Sequence, residues 1–181
     1  MRLLLDMSST MWTCLLAGKD TEGGEYKDED GKVHWVNTAA YGYEHAVNSI
    51  KASLEKFNLT PIDMVMVVEG MNAKAQRLMI NREYKSKRGK RPVEAYTEFN
   101  ALKAQLIEVF SALGAIVFQQ DNVEADDAIA WLALNSRDDV VVRSNDNDLS
   151  VLSGTNEHGA KIITYIGAEV DTNKYGMFPL K

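Results

Sequence analysis

At 181 residues, with 45% hydrophobic and 25% charged side chains, the chain has the composition of one ordinary globular domain with a sizeable core. No apolar run approaches the roughly 18 residues of a membrane span, an acid as early as Asp6 argues against a signal peptide in "MRLLLDMSS", and a lone Cys14 rules out an internal disulfide, so a cytoplasmic protein without membrane partners is expected. The net charge of −6 disfavours a polyanionic partner only on average, because residues 74–91 hold eight basic side chains against one acid, Glu83.

In chain order, "RLLLDMSS" predicts a short buried strand that ends on Asp6, followed by a turn at Ser8 and Ser9. Residues 19–37 are polar and punctuated by glycine, which suits a loop or hairpin with a small strand at Val33–Val36. Thr38 opens a helix that runs to about Asn58 and places Ala46, Ile50, Leu54 and Phe57 on one face. "DMVMVVEG" is a second apolar strand; Met64 and Met66 belong to the core, and Glu69 and Gly70 end it.

The basic segment follows directly. Helical spacing would align Arg77, Asn81, Lys85 and Arg88 in one stripe, with Tyr84 among them and Arg82, Lys87, Lys90 and Arg91 adding charge. A solvated charged face is the bland reading. Cations that hold phosphates beside an aromatic ring that stacks on bases point instead to nucleic acid.

Pro92 begins a helix that Gly114 stops, and "AIVFQ" is a third strand. "EADDAIAWLALNS" is a helix whose Trp131 is expected in the core. "DVVVRS" is a fourth strand, and "NDNDLSVLSG" turns into a short helix. Strands alternating with helices predict an α/β fold around a parallel sheet, with sites gathered outside the carboxyl ends of the strands.

Acids collect at those ends. Asp6, Glu69 and the pair Asp146 and Asp148 each follow a strand, and Glu124, Asp126 and Asp127 crowd the head of one helix. One or two acids in a first turn are ordinary caps, each contributing roughly 0.3–1 kcal/mol. Three repel one another unless a cation neutralises them. With only oxygen donors on offer, the expected cofactor is Mg²⁺ or Mn²⁺ rather than Zn²⁺. His34, His45 and His158 lack ligand spacing, and Cys14 has no companion of a nucleophile.

Taken in order, "LLLDMSS", "VVEG", "QRLMINREYKSKRGKRP", "VEADDAIAWLA" and "SNDNDLSVL" resemble the 5′-to-3′ exonuclease and flap endonuclease family, which includes phage enzymes and the 5′-nuclease domains of bacterial DNA polymerase I. "EVDTNKYGMFP" is similar to the K-Y-G segment after the family's nuclease core. The resemblance implies a PIN-like (resolvase-like) parallel sheet flanked by helices, one catalytic domain over residues 1–181, and a basic helical arch at about 70–91. It implies metal ligands at Asp6, Glu69, Glu124, Asp126, Asp127, Asp146 and Asp148. Lys85 and Arg88 match the arch cations that act on the scissile phosphate, and Arg77 matches an upstream arch arginine. The implied substrate is DNA with a 5′ end or flap, in replication and repair.

Two departures qualify this. Glu69 stands where the family has Asp. After K-Y-G, this chain reaches Lys181 without the family's G-D-x-x-D-N stretch or helix-hairpin-helix. A truncated chain, a second polypeptide supplying the C-terminal region, or a short form with an altered second metal site each fit, and the first two predict one well-bound metal and slow cleavage. A PIN-like ribonuclease and a non-catalytic DNA-structure-binding protein are the competing expectations; the basic segment counts against the first and the retained acids against the second.

Overall fold

Four consecutive buried residues, Leu3–Asp6, put β1 (Arg2–Asp6) in the middle of a sheet covered on both faces. The computed structural model describes residues 1–83 and 91–166. A helix, α1 (Met7–Leu16), leaves β1 at once, and the Asp6 carboxylate caps it by accepting the Ser9 N–H at 3.0 Å. Ser8 and Ser9 therefore lie inside a helix rather than in the expected turn. Met7, Met11, Cys14 and Leu15 carry the helical spacing that marks this element, all of them buried.

The polar segment is a hairpin of β2 (Gly24–Lys27) and β3 (Val33–Val36), paired antiparallel. Thr38 caps α2 (Ala39–Lys56), which buries Ala46, Ile50 and Leu54 as its spacing predicts. The next elements are β4 (Met64–Val68), α3 (Ala73–Ile80), α4 (Val93–Ala112), β5 (Ile116–Gln119) and α5 (Ala125–Leu134). Then come β6 (Val140–Ser144), a 3-10 turn at Asn147–Leu152, and two strands the sequence did not announce, β7 (Gly154–Thr155) and β8 (Lys161–Ile166).

The six-stranded sheet runs β5-β4-β1-β6-β8-β7, parallel throughout except for β7 against β8. Alternation along the strands sorts the core into two layers. Leu3, Leu5, Met64, Met66 and Val141 pack under α1, α2 and α4, while Leu4, Val67, Val142 and Ile162 pack under α5. Trp131 departs from expectation: it is 61% exposed, because the buried stripe of α5 is Ala125, Ala128, Ile129 and Ala133, and position 131 falls off it.

Strand order matters for function. The chain proceeds from β1 outward to β4 and β5, then recrosses to β6 and β8 on the other side. The switch in direction at β1 opens a crevice at the carboxyl ends of β1, β4 and β6, where ligands of such sheets bind.

Candidate active site

Asp6 sits at the end of β1 and is 3% exposed. Burial raises its pKa above the ordinary 3.8, and the charge of Asp146 adds to this, against the opposing hydrogen bonds from Ser9 and Ser144. The Ser144 hydroxyl donates to Asp6 Oδ2 at 2.7 Å and accepts the Asp146 N–H at 3.0 Å, so one serine ties the end of β1 to the turn after β6. Asp146 in turn caps the 3-10 turn through the Asp148 N–H at 3.0 Å. Sequence reasoning missed Ser144; its place at the strand's last residue, two before an acid, was the available signal.

A second group of acids gathers where the end of β4 meets the head of α5. Glu69 follows β4 and reaches over to α5, accepting the Ala125 N–H at 3.2 Å, while Gln119 holds the Glu69 carbonyl at 2.8 Å. Gly70 makes this approach feasible: its N–H meets the Val123 carbonyl at 3.1 Å, and a Cβ there would fall 1.8 Å from the Gln120 oxygen. Glu124 is the residue before the first turn of α5 and is 4% exposed, with Asp126 and Asp127 in that turn.

A cation already stands among these acids. Arg77 of α3 ion-pairs with Asp127, and its Nε lies 3.6 Å from Glu124 Oε2. The crowding noted in the sequence is thus partly offset by the arginine of α3. Among the described residues, no three acidic, histidine or cysteine side chains gather as they stand into a shell for a metal ion. Asp6, Glu69 and Asp146 instead accept backbone N–H groups, and Glu124 and Asp127 lie against Arg77. They remain the right donors for a hard divalent cation, oxygen only and ranged along one crevice.

The basic segment is only partly in view. α3 stops at Ile80, and Asn81 takes extended backbone (φ −137°, ψ 104°), so the helix that carries Arg77 does not extend to Asn81. Arg82 lies in the exposed turn that follows. Arg91 sits 4.0 Å from the centre of the Trp12 ring, which itself stacks on Phe99. Tyr84, Lys85, Lys87, Arg88 and Lys90, and the K-Y-G segment, lie outside the described residues.

The residues given no chemistry have structural places. His34 lies 2.7 Å from Asp28 in the hairpin, and that bond leads the causes that hold the Asp28 carboxyl below its ordinary range. Cys14 is buried, and burial pushes its thiol up to about 11, which leaves no thiolate nucleophile at neutral pH.

A sequence profile described as the 5′-3′ exonuclease, N-terminal resolvase-like domain matches residues 3–176. Among curated protein sequences none matches at a significant level. Solved structures similar in fold include the T5 D15 protein co-crystallised with metal ions (14% identity, TM-score 0.51, covering 90% of this chain and 54% of that one). They also include the T5 5′-exonuclease with zinc bound (15%, 0.52, 91% and 55%). The chain spans little more than half the length of either.

Proposed function

The chain belongs to the 5′-3′ exonuclease N-terminal, resolvase-like domain family, and on that footing we propose that it is the catalytic portion of a divalent-metal-dependent 5′ nuclease acting on DNA ends or flaps. One observation supports the reading: acids stand at or just after the carboxyl ends of the neighbouring strands β1, β4 and β6 and at the head of α5, beside the switch point of the sheet. In the sequence, a segment rich in Lys and Arg follows β4 and its Glu69, suited to the phosphates of a strand.

In this reading Asp6, Glu69, Glu124, Asp126, Asp127, Asp146 and Asp148 are the residues that would hold Mg²⁺ or Mn²⁺. The metal, when bound, supplies an acidified water and stabilises charge on the phosphate oxygens. Ser144 keeps the Asp6 carboxylate oriented through its 2.7 Å bond. Lys85 and Arg88 draw the scissile phosphate in and offset the charge that grows on it, while Arg82, Tyr84, Lys87, Lys90 and Arg91 track the strand. Replication and repair of DNA are where such an activity would serve.

The test is cleavage of a 5′-labelled flap substrate by the purified chain with Mg²⁺ or Mn²⁺, beside an RNA of the same shape. Product on DNA that disappears in Asp126→Ala and Lys85→Ala supports the nuclease. Cleavage that survives Asp126→Ala, or RNA cut in preference to DNA, contradicts it. A second reading rests on the spread of the acids: flap binding without product, as a DNA-structure-binding protein, follows if the carboxylates never close around an ion.

A further inference from the structure

Arg143 is the last but one residue of β6, deep in the sheet, and is only 3% exposed. A buried charge is costly unless it is paired. Its guanidinium donates to the Ser144 carbonyl at 3.2 Å, to Asn145 Oδ1 at 3.1 Å and to Ser49 Oγ at 3.2 Å, all neutral acceptors, and lies 5.0 Å from the centre of the Tyr165 ring. Among the described residues no carboxylate forms an ion pair with it; Asp6 acts on it only from further off. Burial accordingly weakens its hold on its proton, with Tyr165, Cys14 and Asp6 working against that.

Beside this cation lies a cavity of about 160 Å³, between α1, α2 and the end of β6. Its floor is buried, formed by Arg143, Thr10 and Cys14, and its mouth is exposed at Thr13 and His45. Thr10 Oγ1 is the one buried side-chain polar atom without a hydrogen bond among the described residues, although Thr10 is only 2% exposed. A helical threonine usually returns its hydroxyl to the carbonyl four residues back, as Thr13 does to Ser9 at 2.9 Å. Thr10 does not. An uncompensated cation and an unspent hydroxyl on one cavity, with no acid in its lining, together describe half of an anion site.

We propose that this cavity binds a phosphate group, held by the Arg143 guanidinium and the Thr10 and Ser49 hydroxyls. Its volume is well below the roughly 300 Å³ at which pockets begin to hold organic ligands, so a nucleoside is too large and a single tetrahedral oxyanion is suitable. The phosphate comes either from the 5′ terminus of a strand or from free inorganic phosphate. The site stands without the nuclease reading; only its assignment to a strand terminus rests on it.

The experiment is calorimetry on the full chain in EDTA, so that neither metal nor cleavage enters. Inorganic phosphate is titrated against a chloride control of equal ionic strength, then 5′-phosphorylated and 5′-hydroxyl forms of one oligonucleotide. Thr10→Val removes an unbonded hydroxyl and should fold at least as well as the parent; it should bind phosphate about tenfold more weakly. Arg143→Gln should abolish binding. Preference for the 5′-phosphorylated strand that Thr10→Val loses assigns the site to a strand terminus, and phosphate binding without such preference assigns it to the free anion. Absence of saturable phosphate binding by the parent, or equal binding by a folded Thr10→Val variant, overturns the proposal. Cleavage of flaps with no phosphate binding would sink this inference and leave the nuclease reading intact.

Discussion

Asp6 is held in a place that disfavours its charged form. Burial raises its pKa, so the folded chain keeps the proton more tightly than the unfolded one. Stability from this group is therefore greatest at low pH, and falls as pH rises from 3.8 through the raised folded value. Asp6→Asn, which retains a good cap for α1, should raise the melting temperature at pH 7 in EDTA and give no gain below about pH 3.8. A loss of stability at pH 7 would mean that the charged cap outweighs the desolvation. Arg77 makes the complementary case. An exposed ion pair is worth roughly 0.2–1 kcal/mol, so Arg77→Gln should tighten Mn²⁺ binding at Glu124 and Asp127 by about two- to fivefold, measured by electron spin resonance of free Mn²⁺. Unchanged affinity would show that the guanidinium does not compete with the ion. The acids themselves were legible because charge rarely follows an apolar strand without a reason. Ser144, Thr10 and Arg143 were not, since a serine, a threonine and an arginine become significant only through partners that folding brings from 138 residues away, as with Ser144 and Asp6.

At the scale of elements, the crossing of β4 toward α5 depends on one position without a side chain. Gly70→Ala would set a methyl group against the Gln120 carbonyl, and neither segment can easily yield because the Gly70 N–H is bonded to the Val123 carbonyl. The expected cost is about 3 kcal/mol, read as a lowered urea midpoint, and Glu69 should lose its contact with Ala125. A variant as stable as the parent would show that this turn gives way. The strands β1, β4, β5 and β6 were readable from apolar runs ending in turns or acids, and α2 and α4 from spacing and caps. α1 was hidden by the strong signal of the strand before it and by the turn character of Ser8 and Ser9, although its apolar spacing was present. Trp131 lies outside the core although its helix is apolar, because its position is out of phase with Ala125, Ile129 and Ala133. α3 ends at Ile80 where charge spacing alone suggested that it continued.

For the molecule as a whole, the decisive feature is charge separation: the chain carries −6, yet residues 74–91 are strongly basic. Binding to DNA through that segment should weaken steeply with salt, and replacing Lys85, Lys87 and Lys90 with Ala should reduce the slope of log K against log salt by about 1 per lysine. An unaltered slope would place the contact elsewhere. The acidic remainder would repel the same strand unless cations load the crevice, which ties DNA binding to metal binding. The most direct test is a Mn²⁺ titration of the purified chain, followed by electron spin resonance, against Asp146→Asn and Glu124→Gln, with thermal melts to show that both variants fold. The account predicts saturable Mn²⁺ binding by the parent and affinity about tenfold or more weaker in each folded variant. Mn²⁺ bound equally well by all three, or by none, would contradict a metal centre built from the acids at this sheet edge.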